Sequence, residues 1–167
     1  MKMFFRLALL AVAVAAGVWL WMWLFPPPEK IIRARVMTVA RCASFAPGES
    51  AVTRVGNLSR LTDCFDPNVR IYLDVDIPDM GRLSLSGRDE ITQAELTARS
   101  RLSSVEVKFV GINIALGPDR ESAVVDLTAR VAARGDENFF VGELQFFFKK
   151  TKSEWLITRI EPVKVLQ

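Results

Sequence analysis

Hydrophobic and polar positions change their period several times along the chain. Residues 7–25 read LALLAVAVAAGVWLWMWLF, apolar on every face of a helix. Over 29–44, Ile32, Val36, Val39 and Ala43 recur at helical spacing, with Arg33, Arg35 and Arg41 off that stripe. This spacing predicts an amphipathic helix, ended by Pro47-Gly48. A second helical stretch is expected over 50–65, with Val52, Val55, Leu58, Leu61 and Phe65 apolar and Gly56-Asn57 as a candidate break within it. The period then becomes two. Val69, Ile71, Leu73, Val75 and Ile77 alternate with Arg70, Tyr72, Asp74 and Asp76, the signature of a half-buried strand. Pro78-Asp79-Met80-Gly81 turns the chain into a short strand carrying Leu83 and Leu85.

Ser86-Gly87-Arg88-Asp89 reads as a capping box opening a third helix, with Ile91, Ala94, Ala98 and Leu102 on one face. Everything after it reads as strand. Val105, Val107 and Phe109 alternate, then the phase slips at Val110 to Val110, Ile112, Ile114 and Leu116. A slip of one residue predicts a β-bulge and a bend in the sheet. Two further strands follow, over 123–131 and 139–148, with turns at Gly117-Pro118-Asp119-Arg120 and Gly135-Asp136-Glu137-Asn138. Lys149-Lys150-Thr151-Lys152-Ser153 is a basic hairpin before the last strand, over 155–166.

The apolar run has nineteen residues, which as a helix span about 28 Å, close to the thickness of a bilayer's hydrocarbon core. Lys2 and Arg6 precede it, and Trp19, Trp21, Trp23 and Phe25 suit an aromatic belt at its far end. Cleavage after an Ala-Val-Ala at 11–15 would leave a tryptophan-rich apolar tail exposed. The run is therefore expected to be an uncleaved signal anchor, with residues 1–6 cytoplasmic and the remainder periplasmic or extracellular at a bacterial inner membrane. Pro26-Pro27-Pro28 cannot continue the helix, which makes 26–29 a stiff spacer ahead of a domain over 30–167.

Composition narrows the function. Half of the 167 residues are hydrophobic and a quarter are charged, as in a single folded domain behind an apolar run. There is no histidine, so no Ser-His-Asp or Cys-His catalytic unit and no histidine-ligated metal centre can be built. The net charge of +3 falls to +1 once Lys2 and Arg6 are set aside, and nucleic acid is not expected as a partner. No cofactor is expected.

The order helix, helix, strand, short strand, helix, four strands resembles the nuclear transport factor 2-like superfamily, also called SnoaL-like or the cystatin-like α+β cone. The residues carrying the likeness are Phe65-Asp66-Pro67-Asn68-Val69-Arg70-Ile71, Leu85-Ser86-Gly87-Arg88-Asp89-Glu90-Ile91 and Trp155-Leu156-Ile157-Thr158-Arg159-Ile160. The resemblance implies an α+β fold, a curved antiparallel sheet wrapped around three helices, here preceded by one transmembrane helix. It also implies a conical cavity and frequent dimerisation through the sheet. Such folds host isomerases, cyclases, dehydratases and inert assembly modules, so residues must decide the function.

In the superfamily's proton-shifting enzymes the base is an Asp on the first long strand. The matching position here falls on about Leu73, and Asp74 beside it shares the outward face with Tyr72 and Asp76. Asp74 and Glu143 are the candidate acid–base groups, set against a reading in which both are solvent-side strand residues. Leu73, Phe140, Leu144, Phe146 and Phe148 are expected to wall the cavity. Phe139, Val141 and Phe147 fall on the other side of their strand and are expected to form a homodimer face. The lysines of the hairpin read as a solvated, edge-protecting tip, with anionic lipid as the lesser alternative.

Cys42 and Cys64 are the only thiols. In a helical hairpin turning at Pro47-Gly48 they are separated by about 15 Å along the axis, which disfavours a disulfide. These readings combine into a membrane-anchored extracytoplasmic module, more a binding or interaction domain than an enzyme, with a small hydrophobic ligand as one candidate partner. The alternatives are an isomerase- or cyclase-type enzyme using a cavity carboxylate, or an envelope assembly component resembling the inner-membrane subunit of type IV secretion machines.

Overall fold

The computed structural model describes residues 12, 14, 17, 19, 26–77, 81–133 and 136–163, without the side chains of 74–77, 81–82 and 136–139. The chain divides at Ile31 into two compact units. In the first, Val12, Val14 and Trp19 are helical and exposed. Most of the apolar run over 7–25 lies outside the described residues. Among those described, no helix is long and apolar enough to cross a membrane.

Helix α1 spans Pro28–Ala43. Proline is well placed at a first helical position, where its missing N–H would have had no partner anyway. The helix thus takes up the last proline of the expected spacer. Ile32, Val36, Val39, Ala40 and Cys42 form its buried stripe. Helix α2, Ala51–Thr62, is capped by the Ser50 hydroxyl, which accepts from Thr53 N at 3.1 Å. It runs unbroken through the candidate break at Gly56-Asn57. It is also shorter than expected, because Asp63 and Cys64 form a turn and Phe65 already begins the sheet.

Strands β1 (Phe65–Ile77) and β2 (Gly81–Ser86) form an antiparallel pair in which Leu73 faces Leu83. Helix α3, Gly87–Arg101, opens on Gly87 at φ +80°, a conformation that favours glycine. Its cap departs from the expected box. The Ser86 side chain makes no capping bond; instead the Glu90 carboxylate accepts from Ser86 N at 2.6 Å. Arg88 locks the helix start to the sheet by donating Nε to the Phe65 carbonyl at 2.8 Å.

Four long strands follow: β3 (Val105–Leu116), β4 (Ser122–Ala133), β5 (Asp136–Thr151) and β6 (Glu154–Pro162). The six-stranded sheet has the order β2-β1-β6-β5-β4-β3, with β1 and β6 parallel and the other pairs antiparallel. The phase slip read at Val110 is a bulge between Val110 and Asn113, with Gly111 at φ +64°.

One face of the sheet is buried. Ala123, Val125, Leu127, Ala129 and Ala133 supply it from β4, Leu144, Phe146 and Phe148 from β5, and Trp155, Ile157 and Ile160 from β6. Phe109 meets Phe146 edge to face at 5.5 Å between centroids. Phe146 is 1% exposed and among the largest fully buried side chains. Phe146→Ala is expected to cost about 3–5 kcal/mol, read as a lower denaturant midpoint. A loss below 1 kcal/mol would show that the neighbouring strands close over the gap.

Candidate functional site

A groove of about 790 Å³ opens where the loop between α1 and α2 meets the start of β3 and the end of β4. The loop is fixed by backbone pairing. Phe45 N donates to the Val105 carbonyl at 2.8 Å, and Val105 N donates back to the Phe45 carbonyl at 2.9 Å. The Ser44 hydroxyl accepts from Val107 N at 2.9 Å. Phe45, Pro47, Glu49, Val105 and Glu106 are among the residues lining the groove.

Behind Phe45 is a half-buried charged cluster that includes Glu49. Arg99, on α3, pairs with Glu49 through Nη1 and with Glu95, one turn earlier, through Nε at 2.7 Å. The three side chains are 8%, 14% and 10% exposed in the order Arg99, Glu49, Glu95. Asn57 of α2 donates Nδ2 to the other Glu49 oxygen at 2.7 Å. The guanidinium lies 4.5 Å over the Phe45 ring. Arg99 Nη2 is buried without a hydrogen-bond partner. One cation therefore holds two carboxylates from α3 and the loop. Burial pushes Glu95 above its ordinary carboxylate value, against the hydrogen bond and charge of Arg99, while Glu49 pushes it higher.

The expected site residues are distributed differently. Leu73 is half-buried in the β1–β2 pair. Asp74 is on β1, but its side chain is outside those described. Glu143 is exposed and alternates with buried Leu144, so it points away from the apolar core. Leu144, Phe146 and Phe148 are buried in that core, whereas Phe140 is half-buried and folds back over Gly142, leaving no room there for a Cβ.

The face read as apolar is a mosaic. Val141 is 50% exposed and Val110 41%. Phe147 is half-buried under Arg159, whose guanidinium lies 3.9 Å from the ring centroid. Gln145 donates to Asp126 at 2.7 Å across β4 and β5. The Phe139 side chain lies outside those described.

Cys42 and Cys64 are buried free thiols. Burial raises both above their ordinary value, opposed chiefly by Arg60 at Cys42 and by Arg35 at Cys64. Arg35 also donates to the Asp63 carbonyl at 2.8 Å. Arg60 bears on both thiols, by charge at Cys42 and through its carbonyl, which accepts from Cys64 Sγ at 3.2 Å.

Glu49, Asn57, Glu95 and Arg99 did not emerge as site residues from the sequence. The i, i+4 spacing of Glu95 and Arg99 was the available signal. Glu49, in a loop 50 residues before Arg99, gave none.

No protein-family model and no curated protein matches the sequence. Solved structures do. The domain is similar to a protein of unknown function with a cystatin-like fold from Nostoc punctiforme, at 10% identity and TM-score 0.60 over 80% of this chain and 88% of that one. It is similar to the yeast UBP3-associated protein BRE5, at 14% identity and TM-score 0.60 over 84% and 100%. It is also similar to a candidate scytalone dehydratase from Novosphingobium aromaticivorans, at 14% identity and TM-score 0.54 over 83% and 89%. These likenesses show the fold: a cystatin-like, nuclear transport factor 2-like α+β cone.

Two outcomes test the cluster. Arg99→Met leaves two carboxylates buried without their cation and is expected to cost about 3–5 kcal/mol in denaturant unfolding. A variant as stable as the parent would mean that the pair is solvated.

Glu95→Gln tests the titration. A carboxyl with a raised folded-state pKa binds more protons folded than unfolded. Its contribution is present below the unfolded value and is lost as pH rises through the folded one. Relative to Glu95→Gln, the parent should therefore lose stability as pH climbs from the ordinary value of 4.5. A stability difference independent of pH across the acid range would remove the shift.

Proposed function

We propose that this chain is a membrane-tethered interaction module without catalysis, which associates with a second copy through the outer face of its sheet. The observation carrying this reading is the separation of polar and apolar chemistry. Among the described residues none that is polar or charged falls in the fully buried class. The buried inward residues of β4, β5 and β6 are apolar. The partly shielded Glu49–Arg99–Glu95 cluster spends its hydrogen bonds within itself. The competing enzyme reading rests on Asp74, since Glu143 is on the outer side.

The dimer reading is supported by Val110 and Val141, exposed on the outer face beside charges of both signs. Arg130 is opposite Val141 in the ladder, and Glu143 opposite Thr128. A two-fold axis through such a patch would set Arg130 of one copy against Glu143 of the other, the self-complementarity an isologous interface needs. A shared bilayer raises the local concentration further.

Phe147 is covered by its own Arg159, so Val141 is the residue to change. In detergent, the full chain is expected to sediment as a dimer, and Val141→Glu as a folded monomer with unchanged circular dichroism. A monomeric parent at high micromolar concentration would end the dimer reading.

A further inference from the structure

The topology gathers exposed basic residues at one pole of the domain. Helix α1 runs antiparallel to β3. At its C-terminal end Phe45 pairs with Val105, and near its N-terminal end Arg33 donates Nη2 to the Ile112 carbonyl at 3.2 Å. Beyond Ile112, β3 continues to the turn over 117–121. That turn abuts the β5–β6 hairpin, because Lys150 N donates to the Glu121 carbonyl at 2.7 Å and Ser122 pairs with Lys149. The N-terminal end of α1 and both turns therefore share one pole. The groove beside Phe45 and Val105 is at the other.

Arg33, Arg120, Lys149, Lys150 and Lys152 are exposed at this pole. Arg120 and Lys152 are also the positive-φ residues other than glycine among those described, at 54° and 58°. Both turn tips thus hold a long cationic side chain where glycine would be relaxed. Asp119 is turned into its own loop, accepting from the Ser122 hydroxyl at 2.8 Å and from Glu121 N at 3.0 Å. Glu29, Glu121 and Glu154 remain as exposed acids, against Lys30 and the five bases named above, leaving the bases in excess.

We propose that this pole is a docking surface for anionic lipid headgroups, with Lys149, Lys150, Lys152 and Arg120 as its contacts. The inference rests on the membrane tether proposed for residues 7–25. Six residues, 26–31, connect that run to the second unit, and four of them are helical. At helical rise for those four and extended length for the other two, their reach is about 13 Å. Within that reach the pole that shares the N-terminal end of α1 has access to the headgroups. There each lysine gains from a negative surface potential over roughly a Debye length.

The test uses the full chain in vesicles of phosphatidylcholine, alone or with a fraction of phosphatidylglycerol. A membrane-impermeant amine reagent maps the outward-facing lysines. Lys149, Lys150 and Lys152 are expected to label about fivefold more slowly with phosphatidylglycerol present, a gap that high salt erases. Lys108, exposed on β3 and paired with Glu106, should label equally in both. Equal labelling of the three hairpin lysines, in a chain that floats with both vesicles and resists carbonate extraction, would overturn the docking surface and leave the tether standing. Extraction by carbonate from both vesicles would overturn the tether itself.

Discussion

The curvature of the sheet at Gly111 is the constraint from which the rest of the domain follows. A flat six-stranded sheet offers one helix a plane, and an isolated plane leaves much of the helix wet. The bulge between Val110 and Asn113 bends β3 instead. Gly111 and Ile112 fall between the paired positions, and Arg33 of α1 takes the Ile112 carbonyl. The bend is thus capped by the helix that it helps to enclose. Ile32 and Val36, next to that contact along α1, are fully buried. Core and curvature are two views of one packing solution, set by where a single glycine can adopt φ +64°.

The charged cluster solves a different problem. Helix α2 buries only Leu61 among its residues, so apolar contact holds it weakly. Its position is fixed through Asn57, Glu49 and Arg99, which link α2, the preceding loop and α3 in one hydrogen-bonded set. Charges taken from water cost more than their attraction returns unless every donor is met. Here Arg99 Nη2 is unmet, and the Phe45 ring under the guanidinium offsets part of that cost. The arrangement contributes more to the placement of the loop than to raw stability, because the same Phe45 closes the backbone bridge to Val105.

Much of the fold was legible in local periodicity. Alternation over 69–77 and 123–131 marks β1 and β4, and the phase slip at Val110 locates the bulge, because each depends only on side chains adjacent along the strand. The helical spacing of Ile32, Val36 and Val39 likewise marks α1. What local patterns missed depends on distant partners. The Gly56-Asn57 pair looked like a break, yet Asn57 is held in the helix while its amide meets Glu49, eight residues away. Phe147 looked like bare apolar surface, yet Arg159 from the next strand covers it. The capping residue of α3 was misread because Glu90, rather than the Ser86 hydroxyl, closes the first turn. In the first two cases a polar side chain reached across an interval that no sequence period encodes, whereas Glu90 reaches back only four residues, within one helical turn.

The two ends of the domain differ in what they offer, and the difference follows from chain direction. Because α1 and β3 are antiparallel, the loop after α1 meets the start of β3, while the turn after β3 is near the start of α1. The first meeting yields the groove, rimmed by Phe45, Glu49 and Glu106. The second brings Arg120 beside the lysine hairpin. Under the proposed tether, the basic pole is the end of the domain nearer along the chain to residues 7–25, and the acidic, aromatic groove is the end further from them. The sheet's outer face, with Val110 and Val141, lies between the poles. The proposed tether, lipid contact and dimer face are mutually compatible, because the basic pole, the groove and the outer face occupy different parts of the domain.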